Sequence, residues 1–459
     1  MRLKPLHKKI ITYLEPLPTG LQDAAKVNII ERGKLRISET VTGVLRRSRQ
    51  GAPMIWDPWI LKDGDVYRLF YLEGLEGQIP WWTISKICGA ISTDLEHWQD
   101  LGTLLEPNPA NDWESGRVCA GCTYIEDGVY YLFYSAGGKE PPHLRNEAIG
   151  LATSTDGLHF SRYSHHPLLI PDNDDTWYGR SNWTGHFHWR DPYIFKEEQT
   201  GKYYMFICAS SKVTGNFQGC VGLAVSEKIS GPYKLLPPAI NVPVDALEGW
   251  PYYHLERPQV IYKNGKYNLF FSCFKEFFNL KWLQQVKPKR ITNSSLYWYV
   301  SDNVEGPYQP INNDEFIVRG SEKTGMYGTN FLQISTVPEE YIAYGWYHRL
   351  HALEVSSAYR VIWHNTSQHQ NYLSSSLQGD RCQPQFHLDT LEISPSQSLR
   401  RSVVSSDSRF KLILDDIDDF FDHKKDRPIS GEQFLRLEYQ GSVRGFQSFL
   451  TERSPLFEP

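Results

Sequence analysis

The segment DGVYYLFYSAGG, residues 127–138, joins an Asp-Gly pair to a run of aromatic and small residues. An Asp-Gly pair before such a run indicates a tight β-hairpin turn that leads into a strand. The pattern returns in DGDVYRLFYLEG (63–74), TGKYYMFICAS (200–210) and NGKYNLFFSC (264–273), and a degenerate copy is PEEYIAYGWY (338–347). The first glycines of the four clear copies lie 64 to 73 residues apart, so the chain repeats one structural unit of about that length.

Two further patterns flank each hairpin. A short apolar strand precedes it, as in WDPWILK (56–62) and RDPYIFK (190–196), and a strand with a polar turn follows it, as in LATSTDGLHF (151–160). One unit therefore contains four antiparallel strands, and five units close into an all-β, five-bladed β-propeller. A β-sandwich of the same length does not explain three signals that recur at one period.

The repeats also define the domain layout. Residues 1–50 are predicted to form an N-terminal extension that straps the ring, and residues 51–350 are predicted to form the five-bladed propeller. Residues 351–459 are predicted to form a C-terminal extension that partly closes the last blade. The acidic stretch at 412–422 lacks the glycine and the final glutamate of an EF-hand loop, which favours a solvated helix or turn over a calcium site.

The overall composition excludes several classes of protein. Of the 459 residues, 40% are hydrophobic and 22% are charged, which is typical of a soluble globular protein and too apolar for disorder. No run of about 18 apolar residues exists, so no membrane partner is expected. The formal net charge of −5 argues against a nucleic-acid partner. The N-terminus lacks the apolar region of a signal peptide, which predicts a cytoplasmic protein, and the oligomeric state stays open.

Cysteine and histidine patterns predict neither a metal nor a cofactor. Cys119 and Cys122 form a C-x-x-C pair, but no second pair accompanies them, so a zinc or redox site is not expected. His186 and His188 form an H-x-H pair in GHFHWRDP. Strand alternation places both on one face, which favours contact with a sugar or with the core over a metal site.

Three of the predicted innermost strands carry a carboxyl residue at a matched point: Asp57 in W-D-P-W, Asp191 in R-D-P-Y and Glu256 in E-R-P-Q. Because these strands line the axis of a propeller, we expect the three carboxyls to converge. Like charges a few ångströms apart raise one another's pKa, so one of them holds a proton at neutral pH. Glycoside cleavage needs that division between a proton donor and an ionised carboxylate. The alternative is that these acids cap strand ends or bind a structural cation.

Aromatic and arginine residues accompany the acids in the sequence. Trp56, Trp59 and Trp113 lie at strand starts or in loops, where a flat ring can stack on a sugar. Arg190 and Arg257 adjoin two of the carboxyls and offer fixed hydrogen-bond donors to hydroxyls and carboxylates. We predict that all five contact the substrate. The alternatives are core packing for the tryptophans and orientation of an acidic neighbour for the arginines.

These segments resemble the fructan-active glycosidases of clan J, the levansucrase, inulosucrase and invertase families, and are most similar to the levansucrase family, glycoside hydrolase family 68. W-D-P-W (56–59) resembles the family's W-D-S-W motif, which contains the nucleophile, and W-E-S-G (113–116) resembles its W-S-G motif. R-D-P (190–192) matches its R-D-P motif, which binds the fructosyl ring. ERPQVIYKNGKYNLF (256–270) resembles the segment with the acid/base glutamate, and YVSDNVEGPYQPIN (299–312) resembles a Y-V-S segment. The resemblance covers about residues 50–350.

The resemblance implies a role for each matched residue. Asp57 would be the nucleophile that forms a fructosyl-enzyme, Asp191 would stabilise the charged transition state, and Glu256 would be the acid/base. Ser115, in the W-E-S-G motif, would help to hold the nucleophile. His254 stands where levansucrases usually carry an acid that contacts the glucosyl unit, so we predict that it contacts the leaving group.

The sequence thus predicts a glycoside hydrolase or fructosyltransferase that acts on β-fructofuranosides, sucrose or related fructosides, by a retaining double displacement. Its partner would be a small-molecule or oligosaccharide substrate. One alternative is an inverting arabinofuranosidase or xylosidase on the same five-bladed fold. Another is a propeller that binds sugar through its aromatic residues without catalysis.

Overall fold

A computed structural model of the 459-residue chain describes part of the sequence. The described residues are 36–37, 54–74, 84–95, 97–140, 143, 146–179, 187–213, 217–242, 250–274, 277–285, 295–311, 326–349, 352–355, 359–363 and 391–395. The acidic stretch at 412–422, His186 and all but two residues of the predicted extension 1–50 lie outside them.

The described strands fall into five sheets. The first contains β1 (Arg36–Ile37), β2 (Met54–Asp63), β3 (Val66–Gly74), β4 (Lys86–Ser92) and β5 (His97–Leu105). The second contains β6 (Arg117–Glu126), β7 (Val129–Gly137), β8 (Ala148–Ser154) and β9 (Ser161–Arg162). The third contains β10 (Trp189–Lys196), β11 (Tyr203–Ser210), β12 (Gly219–Ser226) and β13 (Lys234–Ile240).

The fourth sheet contains β14 (Glu256–Lys263), β15 (Lys266–Ser272), β16 (Leu296–Ser301) and β17 (Gln309–Pro310). The fifth contains β18 (Met326–Thr336), β19 (Glu339–Arg349), β20 (Ala352–Val355), β21 (Tyr359–Trp363) and β22 (Leu391–Pro395). The described helices are a 3-10 turn (Asp112–Glu114) and α1 (Leu280–Gln285).

Two of the hairpin turns form at the Asp-Gly and Asn-Gly pairs that predict them. Asp127 and Gly128 join β6 to β7 with φ of 51° and 74°, and Asn264 and Gly265 join β14 to β15 with φ of 54° and 74°. Two successive residues of positive φ make a type I′ turn, whose twist matches that of the strands it joins. Glycine and asparagine adopt this conformation at low cost, which is why the turns can be read from the sequence.

The strands β2, β6, β10, β14 and β18 are the innermost strands of the five sheets. Each contacts the next in this order, and β18 contacts β2 again, so the five inner strands form a closed ring. In each sheet the innermost strand therefore lies at the centre of the ring, and the strand that follows it in the first hairpin lies further out. This geometry brings residues from distant parts of the chain to one axis.

Apolar side chains fill the space between neighbouring sheets. One buried cluster joins Phe206 of β11 to Leu269 of β15, and another joins Tyr71 of β3 to Ile342 of β19. The second cluster packs the first sheet against the last and so closes the ring. Full burial of such a side chain stabilises a fold by roughly 1.5–3 kcal/mol.

These observations confirm the predicted all-β propeller class. Within the described residues, β1 pairs in parallel with β5 at the outer edge of the first sheet. Strands β20, β21 and β22 come from the segment after residue 350 and join the last sheet.

In the described part of the chain, no helix has the length and apolar character needed to cross a membrane.

Candidate active site

Each of the five inner strands is interrupted by a register shift near its N-terminal end. In four of them the shift begins at a residue with positive φ: Asp57 (45°), Asp191 (56°), Arg257 (55°) and Gly328 (60°). Positive φ is uncommon for residues other than glycine. Such β-bulges re-aim side chains and concentrate near active sites, where the fold tolerates local strain.

The bulges correct one detail of the sequence analysis. Asp57 and Asp191 occupy the bulge position itself, but in β14 that position belongs to Arg257, and Glu256 precedes it. The prediction that the three acids lie at equivalent points is therefore wrong by one residue. A proline follows the bulge residue in all three strands, so the proline and not the acid marks the register.

The three carboxyls nonetheless converge. Asp191 interacts electrostatically with both Asp57 and Glu256, and Asp57 interacts with Glu256. Burial is the main cause that raises the pKa of Asp57 to about 6 and that of Asp191 to about 7. The positive charges of Arg190 and Arg257 limit both increases. The two aspartates, and not Glu256, therefore take up a proton close to neutral pH.

Glu256 behaves differently from the two aspartates. Burial works to raise its pKa, but the charge of Arg190 and the hydrogen bonds from Arg190 and Tyr327 favour the ionised form and hold the pKa below its usual value. Burial also lowers the pKa of His254 to about 4, so this imidazole is neutral at neutral pH. Arg190, whose Nη2 lies 2.7 Å from Glu256 Oε1, and Tyr327, which donates to Oε2, then keep Glu256 ionised.

Arg190 lies at the centre of a network of side chains. Its Nη1 donates to Glu147 Oε2 at 3.0 Å and to His188 Nδ1, and its Nη2 donates to His254 Nδ1 at 3.1 Å as well as to Glu256. Glu147 is 6% exposed and immediately precedes β8, in the neighbouring sheet. Glu147 was not predicted, because no motif marks it and its partner Arg190 lies 43 residues away along the chain.

Comparison with known families places the chain among glycoside-cleaving proteins. Its sequence matches the model of glycosyl hydrolases family 43 over residues 54–362, from the first residue of β2 into β21. The chain belongs to this family. The match covers all three carboxyl residues of the site.

Several curated relatives of this family 43 protein are levansucrases. One from Rahnella aquatilis is 25% identical over 264 residues, which are 51% of this chain and 58% of the relative. One from Erwinia amylovora is 29% identical over 171 residues, 32% of this chain and 38% of the relative. The chain thus spans between about two fifths and three fifths of the length of these two relatives.

Solved structures share the fold of this family 43 protein. The inulosucrase from Halalkalicoccus jeotgali bound to kestose superposes with a TM-score of 0.52 at 21% identity, over 67% of this chain and 84% of that one. Bacillus subtilis levansucrase superposes with a TM-score of 0.52 at 14% identity, over 71% of this chain and 87% of that one. At these identities the likeness concerns the fold.

The structure gives Asp57 a partner that the sequence did not predict. The indole Nε1 of Trp346, on β19, donates to Asp57 Oδ1 at 2.8 Å. Ser115, which was predicted to hold the nucleophile, instead donates to the backbone oxygen of Asp112 at 3.0 Å and accepts from the backbone N–H of Lys139 at 3.2 Å. In this family 43 protein Trp346, and not Ser115, is therefore the side chain that hydrogen-bonds to Asp57.

Ser115 lines a cavity of about 360 Å³ together with Gly74, Ser85, Lys86 and Lys139. The lining contains none of the three carboxyl residues of the site. The cavity therefore marks a separate hollow between the first two sheets.

Arg257 and Trp59 hold the ring together. The Arg257 guanidinium donates to the backbone oxygens of Gly121, at 3.2 Å, and Pro58, at 3.1 Å, so it bridges three inner strands. Trp59 is 4% exposed, stacks on Phe70 and lies 5.8 Å from the same guanidinium. In the structure these side chains pack and brace the core, and their contact with a sugar stays a prediction.

Trp56 and Trp113 are also buried. A methyl group added at Gly74 would lie 2.9 Å from the Trp56 ring, so this indole fills the space beside β3. Trp113 is 7% exposed, stacks on Tyr134 and donates from Nε1 to the backbone oxygen of His165 at 2.9 Å. The burial of these tryptophans supports the alternative that they pack in the core.

Cys119 and Cys122 are free thiols, of which Cys119 is partly buried and Cys122 is buried. Burial raises their pKa values to about 11 and about 12, so both are neutral thiols at neutral pH. Among the described residues, no group of three or more His, Cys, Asp and Glu side chains is arranged to hold a metal ion.

Proposed function

We propose that this family 43 protein is a hydrolase or fructosyltransferase of β-fructofuranosides, such as sucrose, that retains the anomeric configuration. The observation that carries the proposal is the convergence of Asp57, Asp191 and Glu256 at one axis, with Arg190 between them. The levansucrase relatives and the fold neighbours, one bound to kestose and one complexed with sucrose, support a fructosyl substrate. We also infer that the five sheets are the five blades of a single ring and that the protein resembles the levansucrase family in function.

In this proposal the two aspartates have different roles in catalysis. Asp57, which is partly exposed, attacks the anomeric carbon as a carboxylate and forms a covalent fructosyl-enzyme. Asp191 is 5% exposed and accepts the backbone N–H of Arg257 at 3.0 Å, which suits a fixed acceptor for sugar hydroxyls. Water or a sugar hydroxyl then attacks the intermediate, and Asp57 leaves as a carboxylate.

Glu256 must carry a proton when the leaving oxygen departs. In the structure Arg190 pairs with Glu256 at 2.7 Å, which favours the ionised form. A substrate that draws Arg190 toward its hydroxyls weakens this pair and raises the pKa of Glu256. Glu147 Oε2 lies 3.0 Å from Nη1 of Arg190 and holds that end of the guanidinium while Nη2 moves from Glu256 to the substrate.

One observation favours a second candidate, an inverting pentoside hydrolase. The pKa of Asp57 near 6 also suits a general base, which would activate a water instead of attacking the sugar. The two mechanisms differ in the anomer they release and in whether a covalent intermediate exists.

A substrate panel in dilute methanol tests the proposal. We expect fructose from sucrose, levan or inulin together with methyl β-fructofuranoside, because an alcohol intercepts a covalent intermediate. Proton NMR of the first product gives its anomeric configuration. Cleavage of aryl arabinofuranosides or xylosides with inversion, and no fructose release, would establish the second candidate. Binding of sugars without any turnover would establish a non-catalytic, sugar-binding protein.

A further inference from the structure

The last sheet supplies none of the three carboxyl residues of the site, but two of its side chains donate hydrogen bonds to two of those carboxyls. Tyr327 on β18 and Trp346 on β19 are register partners across the hairpin. Tyr327 donates its hydroxyl to Glu256 Oε2, and Trp346 donates its indole N–H to Asp57 Oδ1 at 2.8 Å. The two side chains therefore reach two different carboxyls from one strand pair.

Gly328 makes the contact of Trp346 with Asp57 possible. A methyl group at this position would lie 3.0 Å from Trp346 Nε1 and 3.3 Å from Asp57 Oδ1. These distances are tighter than ordinary van der Waals contact, so a side chain would crowd the hydrogen bond. Gly328 occupies the bulge position that Asp57 fills in β2, and its φ of 60° is one that glycine adopts freely.

Packing fixes the indole in place. Trp346 is 2% exposed and lies edge-on to Tyr327, with ring centres 5.4 Å apart, and to Phe274, at 6.2 Å. Tyr327 and Phe274 stack on each other at 3.7 Å. An indole held on these sides presents its N–H in one direction, so it also fixes the carboxylate that accepts the hydrogen bond.

We propose that Trp346 is a positioning residue that occupies Oδ1 of Asp57 and leaves Oδ2 as the attacking oxygen. The inference rests on the proposed function of Asp57 as the nucleophile. A lone pair of Oδ2 forms the bond to the anomeric carbon while the bond to the leaving oxygen breaks. The leaving oxygen takes the electron pair and the proton of Glu256. Oδ1 becomes the carbonyl oxygen of the ester and keeps its hydrogen bond to Trp346.

The kinetic test compares Trp346→Phe with Trp298→Phe. Trp298 is also buried, at 3%, and its Nε1 donates to Asn268 Oδ1 at 2.9 Å in the fourth sheet, so its replacement removes a buried indole N–H elsewhere. We expect Trp346→Phe to lower kcat/KM by about tenfold or more, because a hydrogen bond to a charged group is lost. Trp298→Phe should keep the kinetic constants of the wild type even where it lowers the melting temperature.

The pH profile separates positioning from a structural role. A hydrogen bond to the carboxylate favours its charged form, so its loss raises the pKa of Asp57. The acidic limb of the kcat/KM profile should move to higher pH in Trp346→Phe and stay in place in Trp298→Phe. Gly328→Ala, which crowds the same hydrogen bond, should move the limb in the same direction. An unmoved limb in an active Trp346→Phe protein would overturn the inference and leave the proposed function intact.

A second measurement does not depend on turnover. In protein with labelled tryptophan, the indole N–H resonance of Trp346 should shift between about pH 5 and pH 8, as Asp57 titrates near 6. The shift should disappear in Asp57→Asn. If no fructoside is cleaved but this shift is seen, the proposed function fails and the contact stands. A Trp346 resonance indifferent to both pH and Asp57→Asn would overturn the inference.

Discussion

Asp57 and Asp191 occupy the same position in two different sheets. Both begin a β-bulge, with φ of 45° and 56°, and both are followed by proline. Their hydrogen-bond partners differ, because Asp57 accepts from the Trp346 side chain and Asp191 accepts from the backbone of Arg257. The bulge aims each carboxyl at the axis, and the neighbouring strand then decides what the carboxyl is able to do.

The difference in surroundings supports different roles. Asp191 is buried and tied to a backbone that cannot move far, whereas Asp57 is partly exposed and held through one oxygen by one side chain. A nucleophile must keep one oxygen free to approach carbon, and an acceptor for hydroxyls must keep its place. Equivalent local sequences therefore do not imply equivalent chemistry in this ring.

The largest expected effect comes from replacing the proposed nucleophile or the acid/base. Asp57→Asn and Glu256→Gln should each lower kcat/KM by a hundredfold or more, at least about 3 kcal/mol of transition-state stabilisation. Asp63→Asn, at the other end of β2, is the matched control and should keep normal turnover. A fluoride leaving group needs no proton, so fructosyl fluoride should restore turnover to Glu256→Gln and not to Asp57→Asn. Near-normal turnover in either variant would remove that residue from the mechanism.

Asp191→Asn should show a smaller and broader loss. Because Asp191 is proposed to hold hydroxyls in both the bound and the transition state, kcat and KM should both change. No covalent sugar should form on Asp191 when the intermediate is trapped and the peptides are mapped. An adduct on the peptide with residues 190–196 would reverse the assignment of the two aspartates.

His254 is expected to influence the choice of leaving group. Its neutral imidazole accepts from Arg190 through Nδ1, so Nε2 carries the hydrogen and no acceptor remains for a glucosyl hydroxyl. His254→Glu would supply carboxylate oxygens and should raise turnover of sucrose, relative to other fructosides, severalfold. The ratio of kcat/KM values measures this effect, and an unchanged ratio would place His254 outside the leaving-group site.

The smallest expected effect concerns stability. An aspartate ordinarily has a pKa of 3.8, and in the folded protein burial raises the pKa of Asp57 to about 6 and that of Asp191 to about 7. The folded protein therefore binds more protons than the unfolded chain between about pH 4 and pH 7, and stability from these groups falls as pH rises through that window. Asp191→Asn should melt a few degrees higher than the wild type at pH 7 and show little difference at about pH 4. A lower melting temperature at pH 7 would contradict the burial of an ionisable group at this position.

Much of the fold could be predicted because its signals are local. Asp127-Gly128 and Asn264-Gly265 form type I′ turns, and the alternating runs after them form strands. The W-D-P and R-D-P segments also located Asp57 and Asp191 on inner strands. The site was predicted less completely: Glu256 was placed one position off, and Trp59 and Arg257 proved to brace the ring.

The sequence by itself determined the turns, the proline-marked inner strands and the set of three acids, since each is marked by a short local motif, and the return of these motifs along the chain determined the repeat. Only the tertiary structure decided the partners of those acids. Trp346 is 289 residues from Asp57, and Glu147 is 43 residues from Arg190. Closure of the ring brings such residues together, and its geometry depends on how all the sheets pack. No spacing along the chain encodes that contact, which is why the indole that holds Asp57 is visible only in the folded protein.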